Sequence, residues 1–140
     1  MGGVRVVPFE PAHLADLDPP VFDPAQMQRF AAAYRPAGPA FTLMEGGRAL
    51  GCGGLLIEGG EARAWAFLSE ALRRRPVLLH RTVKRALPAL ARHYELRTVR
   101  AGAHAEFATG RRWLERLGFR FEQICPRFAG TTEDYARYRL

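Results

Sequence analysis

The sequence has very little cysteine, and its four histidines are scattered. Cys52 and Cys125 lie far apart without metal-ligand spacing, which favours two buried free thiols over a disulfide. His13, His80 and His93 have no ligand spacing with one another either. We therefore expect no metal site.

Long apolar runs are also missing. No uninterrupted hydrophobic stretch reaches the roughly 20 residues that a membrane span requires. The N-terminal stretch MGGVRVVPFEP has no signal-peptide core. These absences predict an intracellular, cytoplasmic protein with no membrane partner.

Lysine is almost absent, so arginine carries the positive charge. This charge is unevenly distributed along the chain. The formal net charge is +7. From Ser69 to Arg112 there are eleven Arg or Lys residues against three Glu, a surplus of eight, whereas the rest of the chain is nearly balanced. A basic surface suits the phosphates of a nucleotide cofactor, nucleic acid or an acidic protein partner. The alternative is that this protein uses arginine as its general solubilising residue.

The length and composition are those of one ordinary globular domain. A chain of 140 residues buries roughly two-thirds of the surface that its unfolded form exposes. With 48% hydrophobic and 25% charged residues, the sequence is not that of a disordered protein. We expect a single domain over residues 1–140.

Glycine is missing from the stretch around which the chain is organised. Ala64 to Leu68 reads as a buried strand, and Pro76 opens a long amphipathic helical pattern. No glycine occurs between Gly60 and Gly102, so the turn between strand and helix carries arginines 73–75 instead. Because a helix N-terminus carries a partial positive charge, this turn is expected to attract an anion.

The hydrophobic patterns and turn signals predict a mixed α/β fold in the order β-α-α-β-β-β-α-β-α-β-β. Two Gly-Gly turns indicate hairpins, and the clustered glycines 51, 53 and 54 indicate a bulge or a close approach to the backbone. The expected elements are strand Val4 to Val7, a short helix from Pro11, a helix capped by Asp23 and continuing to Tyr34, strands Ala40 to Met44, Ala49 to Ile57 and Ala62 to Leu68, helix Pro76 to about Tyr94, strand Arg97 to Ala101, helix Phe107 to Leu117, strand Phe119 to Gln123, a loop around Gly130, and strand Tyr135 to Leu140.

This order also predicts a topology. The first four strands are expected to pair antiparallel, and the fourth and fifth to be parallel and splayed, with the Pro76 helix crossing between them. Six side chains are expected in the core. They are Leu79, Val83, Leu114, Leu117, Phe119 and Phe121.

The element order, together with Trp113-Leu-Glu-Arg-Leu-Gly-Phe119, resembles the GNAT acyltransferase superfamily. The resemblance covers nearly the whole chain. It implies a GNAT-like fold and acetyl-CoA or another acyl-CoA as cofactor, with an amine as acceptor. The cofactor-binding positions that it implies are the end of the fourth strand and the following turn, Phe67, Leu68, Ser69, Arg73, Arg74 and Arg75.

The sequence departs from the family pattern at three places. Family members usually follow the fourth strand with a glycine-rich loop for the pyrophosphate, but Glu70 to Val77 contains no glycine. Leu114 stands where the family often places a proton-donating tyrosine, and Phe107 stands where an asparagine often contacts the cofactor. The cofactor and acid motifs are therefore degenerate.

The catalytic candidates are few. His104 follows the fifth strand and Glu70 follows the fourth, and either could act as a base toward an amine. Glu58 and Glu61 flank the turn before the fourth strand. The alternative for each is a solvated turn or cap residue.

Three functions remain open from the sequence, one of which, a plain nucleic-acid-binding protein, has only the positive charge in its favour. The first is an acyl-CoA-dependent N-acyltransferase. The second follows from the stretch Phe107 to Phe119 and the closing Asp134-Tyr-Ala-Arg-Tyr138, which resemble short GNAT-like proteins of phages and prophages. That resemblance implies a catalytically inactive, virion-associated or assembly protein that contacts phage structural proteins or nucleic acid.

Overall fold

The computed structural model describes residues 3–17, 29, 37–106, 108–126 and 134–140. We number the strands and α-helices in chain order. They are β1 (Val4–Pro8), a 3₁₀ turn (Pro11–Asp16), β2 (Ala40–Glu45), β3 (Arg48–Glu58), β4 (Glu61–Leu68), α1 (Glu70–Arg73), α2 (Pro76–His93), β5 (Thr98–His104), α3 (Ala108–Arg116), β6 (Arg120–Cys125) and β7 (Tyr135–Arg139). No helix among these is long and apolar enough to cross a bilayer.

Several sequence predictions lie outside the described residues. They are the helix from Asp23 to Tyr34, the loop around Gly130, and the role of Phe107. The side chains of His104 and Tyr135 also lie outside the description, although their backbones belong to β5 and β7.

The strands form one mixed seven-stranded sheet in the order β1-β2-β3-β4-β5-β7-β6. The pairs β1–β2 and β2–β3 are antiparallel, and β4 and β5 are parallel, as the sequence predicts. The ladder between β4 and β5 ends at Arg63 and Arg100, although the two strands continue to Leu68 and His104. Glycines at positive φ form the two hairpin turns, since this backbone conformation is strained for other residues. The mixed α/β fold class is therefore confirmed.

The described chain divides into two compact units, and the prediction of a single domain stays a prediction. The first unit comprises Met1–Glu58 and Trp65–Leu79. Leu14 and Leu17 from the 3₁₀ turn are almost fully buried, in a cluster with Phe9 and Cys52. The short helix expected from Pro11 is thus a 3₁₀ turn.

The glycines of β3 allow close packing on both sides of the strand. The pairing of β2 with β3 shifts register between Leu43 and Met44. A Cβ at Gly53 would lie 3.2 Å from the Trp65 carbonyl oxygen, and one at Gly54 would lie 2.9 Å from the Trp65 ring. The sequence expectation of a bulge or a close backbone approach is therefore confirmed in both forms.

A buried polar chain holds the 3₁₀ turn against β2 and β3. The Glu10 N–H donates to His13 Nδ1 (3.0 Å), which lies 2.7 Å from Thr42 Oγ1. The Thr42 hydroxyl donates to Cys52 Sγ at 3.5 Å. Burial raises the pKa of the Cys52 thiol to about 11, opposed by the Thr42 hydrogen bond and assisted by the nearby charge of Asp16. Both cysteines are free as predicted, but Cys125 is only half-buried.

The second unit comprises Gly59–Ala64 and His80–Leu140. Helix α3 is closed two residues after its end by Gly118, whose φ is +104°. Lys84 on α2 donates a hydrogen bond to the Leu117 carbonyl oxygen at 3.4 Å. The Phe119 N–H bonds the Leu114 carbonyl oxygen, which closes the end of α3.

Five of the six expected core residues are at least half-buried, but the expectation is wrong for Phe121, which is 49% exposed. Its burial was inferred from alternation with Phe119. Phe119 precedes β6 and belongs to the turn that closes α3, so its burial does not set the phase of the strand. Phe121 instead lies on the edge strand, where its ring contacts Tyr138 at 5.7 Å between centroids. The buried three are Leu114, Leu117 and Phe119, and the half-buried two are Leu79 and Val83.

The raised pKa of Cys52 predicts a loss of stability in alkali. An unfolded thiol ionises near its usual pKa of 9.0, whereas the folded thiol does so at about 11. The stabilisation is therefore fully present below about pH 9 and is lost as the pH rises to about 11, by up to about 3 kcal/mol. Urea unfolding at pH 8 and pH 10.5 measures this loss. Cys52→Ala should flatten the profile and Cys125→Ala should not; identical pH profiles for all three proteins would contradict it.

Candidate functional site

Ser69 directly follows β4 and begins the turn to which the sequence assigned cofactor binding. It is only 4% exposed, and its N–H donates to the Leu50 carbonyl oxygen at 3.0 Å. Its hydroxyl accepts a hydrogen bond from the Leu72 N–H at 3.2 Å, which makes Ser69 the N-cap of α1. The described structure therefore gives the Ser69 hydroxyl a structural role.

Helix α1 was not expected from the sequence, and it explains the missing glycines. Leu72 is 2% exposed and packs in a cluster with Leu43 and Leu50. A Cβ at position 51 would lie 2.7 Å from Leu72 Cδ2, so glycine on β3 lets this side chain pack without shifting. One helical turn anchored by Leu72 thus occupies the place of a glycine-rich loop.

The arginine triplet at the end of α1 does not act as a unit. Arg75 makes a two-pronged ion pair with Glu45, with both distances 2.9 Å. Arg74 lies 3.6 Å from Glu70 within the same turn. Arg73 is exposed and forms no ion pair or side-chain hydrogen bond with any residue that the structure describes. The exposed cation available to an anion in this turn is therefore Arg73.

Helix α2 begins directly after the triplet. Pro76 is its first residue, and the Leu79 N–H donates to the Arg75 carbonyl oxygen at 3.1 Å. Val77 is 68% exposed, while Leu78 and Leu79 pack on the Leu72 cluster. The helix start is thus anchored on one side and open to solvent on the other.

The two strand residues assigned to the cofactor contribute mainly to the core. Phe67 packs against the Trp65 ring at 5.8 Å between centroids and against the Phe9 cluster. Leu68 packs against the Leu72 cluster. A ligand running along β4 would therefore contact backbone rather than these side chains.

The catalytic candidates differ in what the structure places around them. Glu70 is 52% exposed and is paired with Arg74 in the first unit. Glu61 accepts from Arg100 at 3.3 Å in the second unit, and Glu58 is exposed. His104 ends β5, where its Cα pairs with that of Tyr135. No group of three His, Cys, Asp or Glu side chains converges as a metal site in the described parts of the chain.

Sequence reasoning missed a hydrogen-bonded phenol in the second unit. Tyr138 is fully buried, and its hydroxyl accepts from Arg111 Nε at 3.0 Å and donates to Glu115 Oε1 at 3.4 Å. Arg111 also lies 5.3 Å from the centre of the Phe121 ring. The only sequence signal was the spacing of Arg111 and Glu115 on one helical face. Leu114, in contrast, is 7% exposed and has no ionisable proton to donate.

Comparison with protein-family models gives no match, and sequence comparison with curated proteins gives none either. Solved structures do match the fold. One is the ribosomal L7/L12 α-N-protein acetyltransferase RimL in complex with coenzyme A, with a TM-score of 0.76 and 13% identity, covering 98% of this chain and 93% of that one.

Two further structures agree with it. The ribosomal-protein-S18-alanine N-acetyltransferase of Escherichia coli has a TM-score of 0.72 at 16% identity and covers 99% of this chain and 93% of its own. A chimera of the Vibrio cholerae spermidine N-acetyltransferase SpeG and hSSAT has a TM-score of 0.78 at 14% identity, covering 98% and 94%. The chain therefore has the fold of GNAT N-acetyltransferases over nearly its whole length.

The capping role of Ser69 predicts the effect of its removal. Ser69→Ala deletes the oxygen that accepts from Leu72 and should lower the free energy of unfolding by about 0.5–2 kcal/mol. Ser69→Asp is the matched variant, because aspartate also caps helices, and it should recover most of this loss. Urea unfolding measures both. An alanine variant as stable as the wild type would contradict the assignment.

Proposed function

We propose that this protein is an acyl-CoA-dependent N-acyltransferase with a reduced cofactor site and slow turnover. The observation that carries the proposal is the match, over 98% of the chain, to an N-acetyltransferase in complex with coenzyme A. No metal is needed for such a reaction. Acyl-CoA supplies an activated acyl thioester, and an amine is the acceptor.

The residues after β4 fit a diphosphate only in part. Arg73 offers an exposed guanidinium, and the start of α2 adds the partial positive charge of a long helix. A cradle of successive N–H groups is missing, because α1 occupies that place and the Ser69 hydroxyl is engaged as a cap. We therefore assign the diphosphate to Arg73 and the first turn of α2, and expect weak binding.

The proposed site lacks an evident proton donor for the leaving thiolate. General acid help is worth roughly 10² to 10⁴ in rate. Leu114 cannot supply a proton, and the Tyr138 hydroxyl already bonds Glu115 and Arg111. His104 and Glu70 remain the proposed candidates for the base toward the amine.

The phage-protein alternative has no specific observation in its favour. None of the three structures named above is described as a phage or virion protein. The turnover test below still separates it, because a catalytically silent protein would show no acyl transfer.

Cofactor binding is tested by thermal stability. At a hundredfold excess over its dissociation constant, acetyl-CoA should add about 2.7 kcal/mol and raise the melting temperature by several degrees. Arg73→Gln should weaken binding about fivefold to tenfold. Arg74→Gln removes the same charge from a residue paired with Glu70 and should have a smaller effect. No shift with millimolar acetyl-CoA at low salt would refute the cofactor assignment.

Turnover with a panel of amines tests the chemistry. We expect a kcat far below the roughly 10 s⁻¹ of an ordinary enzyme. Leu114→Tyr should raise the rate per folded molecule or leave it unchanged, while overpacking should cost it about 1–3 kcal/mol of stability. Tyr138→Phe should change stability but not rate. A wild-type kcat near 10 s⁻¹, or a large rate loss in Tyr138→Phe, would contradict this account.

A further inference from the structure

The second unit carries a row of arginines across four neighbouring strands. Arg63 on β4 pairs in register with Arg100 on β5, and Arg100 pairs with Arg139 on β7. Arg139 pairs in turn with Arg120 on β6. Residues paired in register project from the same face of a sheet, so one arginine from each strand lies on one face. With strands about 4.8 Å apart, this arginine row spans about 14 Å.

The face that carries the arginine row is open apart from the buried Thr98, whereas the opposite face is covered except at the edge strand. The buried residues next to the row on β4, β5 and β7 point the other way; they are Ala62, Val99, Ala101 and Tyr138. On β6 the neighbour of Arg120 is Phe121, which is 49% exposed. On the row's own face, Arg63, Gly102, Arg120 and Arg139 are all exposed.

Two carboxylates hold the inner part of the row in place. Glu122 accepts from Arg100 Nε and Arg137 Nε, both at 3.1 Å, and Glu61 accepts from Arg100 at 3.3 Å. Partial desolvation alone would raise the pKa of Glu122, but hydrogen bonds and charges of the two arginines outweigh it and lower that pKa. With Arg137 included, five arginines face two glutamates, which leaves a surplus of three positive charges.

Arg120 and Arg139 form the uncompensated end of the row. Like charges directly opposite each other on neighbouring strands are destabilising. No carboxylate of the described residues lies within ion-pair distance of either side chain. Both line an open depression of about 470 Å³ at the edge of the sheet, together with Phe121, Leu140 and the carboxylate residue Glu122, which is held by Arg100 and Arg137. A bound anion would relieve the repulsion between these two solvent-exposed guanidiniums.

We propose that this arginine face binds the phosphate backbone of a nucleic-acid duplex, independently of base sequence. Within the second unit, the described side chains that flank the row on its own face are polar. Glu61 and Glu122 are charged, Thr98 is a buried hydroxyl, and Gly102 has no side chain. Protein interfaces need an apolar, aromatic-rich centre, whereas nucleic-acid interfaces are polar and strongly positive.

The same face argues against other occupants. Single strands bind by stacking bases on exposed aromatic rings. Trp65 shares this face through its place on β4, but it is half-buried and its ring packs against Phe9 and Phe67. In a symmetric dimer through this face, the arginines of the two copies would face and repel each other. Duplex DNA carries one negative charge per about 1.7 Å of axis, so a 14 Å row lies opposite several phosphates.

The test uses fluorescence anisotropy with a 20-base-pair DNA duplex and an RNA duplex of the same sequence, titrated over a range of salt concentrations. Neutralising about three phosphates should give a slope of log K against log salt near −2.7 for DNA. Arg120→Gln/Arg139→Gln should weaken binding at least tenfold and make the slope shallower by about 2. Arg120→Lys/Arg139→Lys keeps the charge and should keep the slope.

Arg81→Gln/Arg85→Gln is the matched control, because it removes the same charge from exposed positions on α2. Its affinity should stay within threefold of wild type. The Arg120→Gln/Arg139→Gln protein should melt no lower than wild type, since the change removes a like-charge contact.

Four results would overturn the proposal. They are no wild-type binding at low salt, equal losses in the two glutamine variants, binding to only one kind of duplex, and tighter binding of a polyglutamate peptide than of either duplex. None of these readouts depends on acyl transfer, so the proposal stands or falls separately from the enzyme assignment.

Discussion

The contact between Leu72 and the bare backbone of Gly51 is the constraint on which the candidate site depends. It lets one helical turn lie against β3 directly after β4, with Ser69 closing its start. A larger residue at position 51 would force the Leu72 side chain to shift and so loosen the contact that anchors this turn. The reduced cofactor site is thus a consequence of core packing, because the same turn that stabilises the first unit removes the space for a glycine-rich loop.

Partner carboxylates decide what each arginine of this basic chain can do. Arg75 is held by Glu45, and Arg100 is shared between Glu61 and Glu122. Paired guanidiniums mainly order the surface, since exposed ion pairs contribute little to stability. Arg73 and the end of the arginine row, by contrast, have no carboxylate partner among the described residues. The positions of the arginines that have no carboxylate partner therefore matter more for binding than the net charge of +7.

Local patterns predicted most elements, and their errors have local causes. The Gly-Gly hairpins follow from residues that tolerate positive φ, and α2 follows from Pro76 and a long apolar stripe. Helix α1 was missed because four residues are too short for a periodic signal. Phe121 was misplaced because alternation was counted through Phe119, which belongs to a helix-ending turn. In both cases the deciding contact comes from a residue distant in the sequence or outside the assumed element.

The sequence by itself determined the mixed α/β class, the parallel β4–β5 pair and the free thiols, because periodicity, turn chemistry and cysteine spacing are properties of short stretches. It also located the basic turn after β4 and the absence of a tyrosine at Leu114. Only the tertiary structure decided that Arg75 is neutralised by Glu45, that Tyr138 is engaged by Arg111 and Glu115, and that arginines from four strands share one face. Those facts depend on strand register and on which elements meet, and no local pattern in the chain encodes either.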